Sequence, residues 1–264
     1  MNSQARSQLA AAMAACLASG DEAVQRAGLC EEHIELAGLT VRVRFAGERL
    51  RQQMMRAFVH VRGAVDQTPD LDVTVWDSVQ SGQPLPPEVG PLAHHVRRGL
   101  GQIQQDGGVL SLFEGMDHGL SMLDLATRTG VYWVPDAQDM AEGDRAAPLR
   151  TLLNWWLPDA GRTVVHAGAL GTVDGALLLF GKSGAGKSTT SLACVEDGFY
   201  YLGDDFCALT LEPEVVVHSL YCSGKVYERH IEELPAFGRL VTNADSLTTE
   251  KGLAIWTALG VSCA

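Results

Sequence analysis

The chain has 264 residues and a net charge of −12, with 46% hydrophobic and 20% charged residues. That composition suits one large or two small globular domains with a real core, and it argues against a general binder of nucleic acid or anionic lipid, which needs Lys and Arg to neutralise phosphates. Six scattered cysteines form no CxxC pair, which points away from a metal cluster or a disulfide scaffold and towards reduced thiols in a cytoplasm; no apolar run reaches the ~20 residues that span a bilayer.

The N-terminal "MNSQARSQLAAAMAACLASGDEA" is Ala-rich and weakly hydrophobic, with only Arg6 before its apolar run. It predicts a surface helix over about residues 3–18 rather than an export signal. In "HIELAGLTVRVRFAG", Val41, Val43 and Phe45 alternate with Arg42 and Arg44, the period-two pattern of a half-buried strand. "ERLRQQMMRAFVHV" predicts a helix with Leu50, Met54, Phe58 and Val61 on one side. "DLDVTVWDS" is another alternating strand, and "GQPLPPEVGP" is a Pro- and Gly-rich loop. The basic stretch "HHVRRG" (His94 to Gly99) reads as a solvated face.

Next, "GGVLSLFEG", "LSMLDLAT" and "GVYWVPD" predict short strands joined by Gly-containing turns. Residues from about 34 to 136 therefore read as an α+β half with an antiparallel sheet. Polar "MAEGDRAAP", ending in Pro148, marks a boundary between an N-terminal region 1–147 and a core 148–264. "LRTLLNWWLPDAG" predicts a helix with Leu149, Leu152, Leu153 and Trp156 on one face, its paired tryptophans serving the core. Beyond Thr163 come apolar strands in "TVVHAGAL", "GALLLFG", "FYYLGDDFCAL" and "EVVVHSLY". This second half predicts an α/β nucleotide-binding core.

Gly181-Lys182-Ser183-Gly184-Ala185-Gly186-Lys187-Ser188 fits G-x-x-x-x-G-K-[ST]. An apolar strand precedes it and a helical pattern follows. Glycines let the backbone wrap a phosphate with its N–H groups inward, and the helix start adds partial positive charge. Lys187 is expected to reach the β- and γ-phosphates, and the Ser188 hydroxyl to bind Mg²⁺. One short helix later, Asp204 and Asp205 follow the apolar "FYYL". Two adjacent acids at a strand end suit a division of labour, one holding Mg²⁺ and the other taking a proton from an attacking hydroxyl. No "LSGGQ"-like signature and no "NKxD" motif is present, and "TNADS" lacks the lysine. Transporter-type ATPases and GTPases are thereby disfavoured.

The stretch "VHAGAL…GALLLFGKSGAGKSTTSLACVEDGFYYLGDDF" resembles the core of the HPr kinase/phosphorylase family, whose fold is shared with ATP-dependent phosphoenolpyruvate carboxykinase. Its hallmarks are a His in the preceding strand, the phosphate loop, one short helix and an Asp-Asp pair. "LAGLTVRVRFAG", "LLNWWL" and "VHSLYCSGK" resemble a looser HPr-kinase-like branch, some members of which accompany lasso-peptide biosynthesis and phosphorylate a serine of the precursor. The resemblance implies ATP and Mg²⁺ as cofactors. It implies Asp204 as general base, Asp205 with Ser188 as Mg²⁺ ligands, and His166 near the transferred phosphoryl group. It also allows a homo-oligomer. Thr189 stands where HPr kinases usually carry glutamate, and their Glu-Ile-Arg-Gly type motif is absent, which disfavours HPr itself as substrate. Family members run on past the equivalent of "LAIWTALGVSCA", so a shortened core is expected.

The expected activity is phosphoryl transfer from ATP to a hydroxyl, with a serine of a peptide or protein as acceptor. Lys225 and Arg229 in "SGKVYERH", and Lys182 in the loop, are candidate cations for the γ-phosphate. Two other readings share these residues: a non-catalytic ATP-binding sensor and a small-metabolite kinase.

Overall fold

A long N-terminal helix, α1 (Ser3–Ala27), runs well past residue 18, through Gly20. The extension has a packing reason. A Cβ at Gly20 would lie 2.8 Å from the Thr74 Cγ2 methyl, so glycine lets the helix lie close against the sheet beneath it. The computed structural model describes residues 3–63, 68–95, 103–115, 118–182, 184–226 and 252–255.

β1 (Leu29–Leu36) and β2 (Leu39–Ala46) form an antiparallel hairpin. Its two turn residues, Ala37 and Gly38, have φ of 54° and 75°, the double positive φ of a tight hairpin turn. The helix expected next is α2 (Glu48–Met54), which tightens into a 3-10 helix over Met55–Val61. β3 (Leu71–Asp77) leads into the single turn α3 (Ser78–Ser81), where the Asp77 carboxylate accepts the Gln80 N–H at 2.7 Å. Part of the Pro-rich loop adopts a 3-10 helix, Pro87–His95, with Pro91 inside it. Most of "HHVRRG" lies outside the described residues.

β4 (Ile103–Asp106), β5 (Val109–Gly115), β6 (Gly119–Asp124) and β7 (Thr129–Val134) complete a seven-stranded sheet of order β1-β2-β3-β7-β6-β5-β4. The sheet is mixed rather than antiparallel throughout. Its flanks are antiparallel, the β5–β6–β7 flank as the hairpin signals predict, but β3 pairs in parallel with both β2 and β7. Long connections enter and leave β3, and only such connections can join parallel neighbours.

Both faces of this sheet are buried. On one, Leu9, Met13 and Cys16 of α1 meet Trp76, Phe113 and Trp133. The other is covered by α2 and by α5 (Arg150–Asp159), which follows the short α4 (Glu142–Ala146). There Leu50, Met54, Leu152, Leu153 and Trp156 join Val43, Phe45 and Val73, and the same cluster takes in Ala208, Leu220 and Tyr221 from the C-terminal half. The tryptophan-bearing helix therefore serves the cores of both halves. Its neighbour, the polar stretch expected as a boundary, forms α4 and the lead-in to α5.

The C-terminal half contains β8 (Thr163–Val165), β9 (Gly168–Thr172), β10 (Gly175–Leu179), α6 (Lys187–Glu196), β11 (Tyr200–Gly203), β12 (Cys207–Thr210), β13 (Val216–Ser219), β14 (Ser223–Val226) and β15 (Gly252–Ile255). These strands form three small sheets, β10-β9-β11, β13-β12-β8 and β14-β15. "TVVHAGAL" and "FYYLGDDFCAL" thus each divide into two strands. The breaks face each other: Gly203 lies opposite Ala169, and Cys207 opposite Val165. Two antiparallel segments change sheet at one level, and that level holds His166, Asp204, Asp205 and Phe206. Among the described residues no helix is long and apolar enough to cross a membrane.

Candidate functional site

The glycine-rich loop runs from the end of β10 to the start of α6. Gly184 and Gly186 have φ of 80° and 89°, left-handed values that disfavour any side chain. Gly186 is also the residue before α6, where no side chain caps the helix, so its first N–H groups remain available to an acceptor. A Cβ at Gly181 would lie 3.0 Å from the Ala185 Cβ, and the Ala185 N–H donates to the Lys182 carbonyl at 3.1 Å. These contacts curl the loop on itself. Lys187 opens α6, and its ammonium donates to the Gly181 carbonyl at 2.9 Å. Thr189 follows in the helix, Lys182 is exposed, and Ser183 lies outside the described residues.

The loop and the acid pair meet directly. The Ser188 hydroxyl donates to Asp204 Oδ2 at 3.1 Å. Close packing of α6 on β9 helps: a Cβ at Gly168 would lie 2.9 Å from Ser191 Oγ and 3.6 Å from the Asp204 carbonyl oxygen. Asp204 is 5% exposed. Asp205 points elsewhere, with Oδ1 3.6 Å from His166 Nε2 and side-chain exposures of 27% and 58% for the two residues. The His166 imidazole stacks on Phe206, with ring centroids 5.1 Å apart and planes 18° from parallel. His166 is therefore an open residue at the strand break and not a core histidine. Ser188 meets Asp204 and His166 lies beside Asp205, while the Lys187 ammonium rests on the Gly181 carbonyl; the hydroxyl pairs with Asp204, where the sequence reading grouped it with Asp205.

A cleft of about 20 Å³ adjoins the acid turn, lined by Asp204, Asp205 and Phe206 on one side and by Ala147, Arg150 and Ser223 on the other. That volume admits a water or one hydroxymethyl-sized group. Arg150 escaped the sequence reading. Its guanidinium carbon lies 5.7 Å from the Phe206 ring centroid, within cation–π range, and its Nη2 is 3.6 Å from Asp144. Burial pushes the Asp144 carboxyl above its ordinary pKa, and Arg150 opposes that shift. No local signal singles out Arg150, because it comes to line the cleft through tertiary folding alone. Of the cations expected from sequence, Lys225 sits in β14 opposite Leu253, and Arg229 lies outside the described residues.

The wall opposite the acids is anchored. The Tyr221 hydroxyl donates to the Pro148 carbonyl at 3.1 Å, the Ser223 hydroxyl donates to the Ala146 carbonyl, and the Tyr201 hydroxyl donates to the Ser223 carbonyl at 2.7 Å. These bonds join the α4–α5 junction to Tyr221 and β14, and β14 in turn to β11.

The donor set fits a phosphate group with a hard cation. The open helix start and left-handed glycines fit phosphate oxygens. Ser188 with Asp204, and Asp205 beside them, offer only oxygens to a metal. Among the described residues no group of three or more His, Cys, Asp or Glu assembles. No family model matches the chain, and no curated protein matches it.

Proposed function

We propose that this protein is an ATP- and Mg²⁺-dependent kinase of the HPr-kinase-like type, acting in the cytoplasm, that transfers the γ-phosphoryl group to a serine hydroxyl of a peptide or protein. The observation that carries the reading is the hydrogen bond from Ser188 to Asp204. It joins a G-x-x-x-x-G-K-S loop to an acidic strand end, two elements that phosphoryl transfer needs within one ion's reach.

The glycine-rich loop and the uncapped start of α6 would cradle the phosphates with free backbone N–H groups, and Lys187 would turn its ammonium from the Gly181 carbonyl to the β- and γ-phosphates. Mg²⁺, when bound, neutralises phosphate charge. Ser188 and Asp204, already paired, suit the metal side of the site. Asp205 lies near His166 and lines the cleft, which suits the proton side. In that assignment Asp205 accepts the proton of the serine hydroxyl. The serine oxygen bonds to the γ-phosphorus as the bond to the ADP oxygen breaks, and ADP leaves. His166 is placed to hold the Asp205 carboxylate in orientation.

A transfer assay tests this: γ-labelled ATP with Mg²⁺ and a serine-peptide mixture, comparing wild type, Asp204→Asn and Asp205→Asn. Label should appear on serine and fall by at least about a hundredfold in both variants. The Mg²⁺ concentration for half-maximal rate should rise in Asp204→Asn and stay in place in Asp205→Asn. The opposite pattern would restore the assignment with Asp204 as base and Asp205 as ligand. Tight ATP binding with no transfer to peptides or hydroxylated metabolites would replace the kinase by a nucleotide sensor.

A further inference from the structure

We propose that the cleft between the α4–α5 junction and the Asp204–Asp205 turn is the phosphoacceptor end of the site, and that Arg150 binds the transferred group there as a serine phosphomonoester. This rests on the kinase reading for its chemistry, but its observations are separate. They concern a residue of the helix that packs on the N-terminal sheet, not the glycine-rich loop.

A phosphomonoester dianion beside two carboxylates needs a positive group facing it. Among the described residues that line the cleft, Arg150 is the cation. Its planar fork of N–H donors matches two phosphate oxygens at once, which a lysine cannot do. Arg150 is also held in place. Asp144 pairs with it at 3.6 Å and the Phe206 ring lies beside its guanidinium. Its backbone follows Leu149, whose left-handed φ of 57° turns the chain into α5. Pro148 and Ala146, just before it, are bonded to Tyr221 and Ser223. A strained residue fixed by burial next to a cleft-lining arginine is the pattern of a site built for position.

The small volume fits the same assignment. About 20 Å³ admits the hydroxymethyl tip of a serine. Once the serine oxygen has bonded to phosphorus and ADP has departed, the new phosphate lies at the mouth of the cleft, facing the Arg150 guanidinium. The rest of the acceptor stays outside the cleft.

O-phospho-L-serine is the probe, titrated calorimetrically into the whole protein with Mg²⁺ and ADP, and again with Mg²⁺ alone. Saturable binding is expected in the wild type. Arg150→Ala should weaken it by at least about tenfold, and Arg150→Lys, which keeps charge but loses the fork, should fall between. Thermal melts establish that each variant is folded, and Arg150→Gln provides a second neutral variant of similar length. An absence of wild-type binding, or equal affinities in wild type and folded Arg150→Ala or Arg150→Gln, overturns the proposal. Failure of ADP to bind, with phosphoserine still captured in an Arg150-dependent way, overturns the nucleotide reading and leaves the anion site standing. ADP binding with no Arg150 dependence for phosphoserine does the reverse.

Discussion

Lys187 shows how one residue can matter to a ligand and little to the fold. Its ammonium bonds to the Gly181 carbonyl at 2.9 Å in an exposed setting. Such a bond contributes no more than about 1 kcal/mol to stability, because water competes for both partners. The same charge aimed at two phosphates gains from several charge-assisted bonds. Lys187→Ala should therefore weaken ADP binding by at least about tenfold while shifting the melting midpoint by no more than a few degrees. Calorimetric titration and thermal denaturation of one variant check both halves. A large loss of stability would make Lys187 a structural strut and remove it from the phosphate site. The acid pair carries the complementary lesson. Adjacent in sequence, Asp204 and Asp205 differ in burial and partner because the chain changes sheet at their level, sending one carboxylate to Ser188 and the other to His166.

The turn into α5 is the element on which the cleft depends. Leu149 is buried yet sits at φ 57°, ψ 13°. A left-handed leucine costs roughly 1–2 kcal/mol, which glycine would avoid. Truncation to alanine keeps the strain and loses the packed side chain, about 2–5 kcal/mol. Truncation to glycine loses the same packing, relieves the strain, and gives back about 0.4–1 kcal/mol in unfolded-chain entropy. The usual order at a buried helix end should thus invert: Leu149→Gly should be at least as stable as Leu149→Ala in urea denaturation. A glycine variant clearly less stable than the alanine one would show that the left-handed turn carries no strain. No such turn is legible in the sequence, since leucine is among the residues least expected there. What was legible is local. The alternation of Val41, Val43 and Phe45 gave β2, and the spacing of glycines before Lys187 placed a strand, a loop and a helix in order. The parallel pairing of β3, the opposed strand breaks and the place of Arg150 in the cleft wall depend on residues far apart in the chain. Periodicity carries no information about them.

At the scale of the whole molecule, the two halves are joined by shared core and by polar links, one of which runs through a buried histidine, His60. It lies in the 3-10 helix after α2, and its Nε2 is 2.8 Å from Ser219 Oγ at the end of β13. Its Nδ1 is buried with no hydrogen-bond partner among the described residues. Burial pushes its pKa down from 6.5 to about 4. Above pH 6.5 the imidazole is neutral in both folded and unfolded chains and adds no pH dependence. Between pH 6.5 and 4 the unfolded chain takes up the proton and the folded one resists it, so stability falls as pH falls. The slope approaches 1.4 kcal/mol per unit, and the loss across the window is about 3 kcal/mol. His218, also lowered by burial and by Arg162, adds to the same trend. Asp77 and Asp144, whose carboxyls burial raises, oppose it at the acid end, because their folded forms protonate first. The comparison that isolates His60 is therefore a difference. Urea midpoints from pH 7.5 to 4.5 should fall more steeply in the wild type than in His60→Gln, with the gap opening below pH 6.5. Parallel pH profiles for the two proteins would mean that this histidine is not held neutral in the fold.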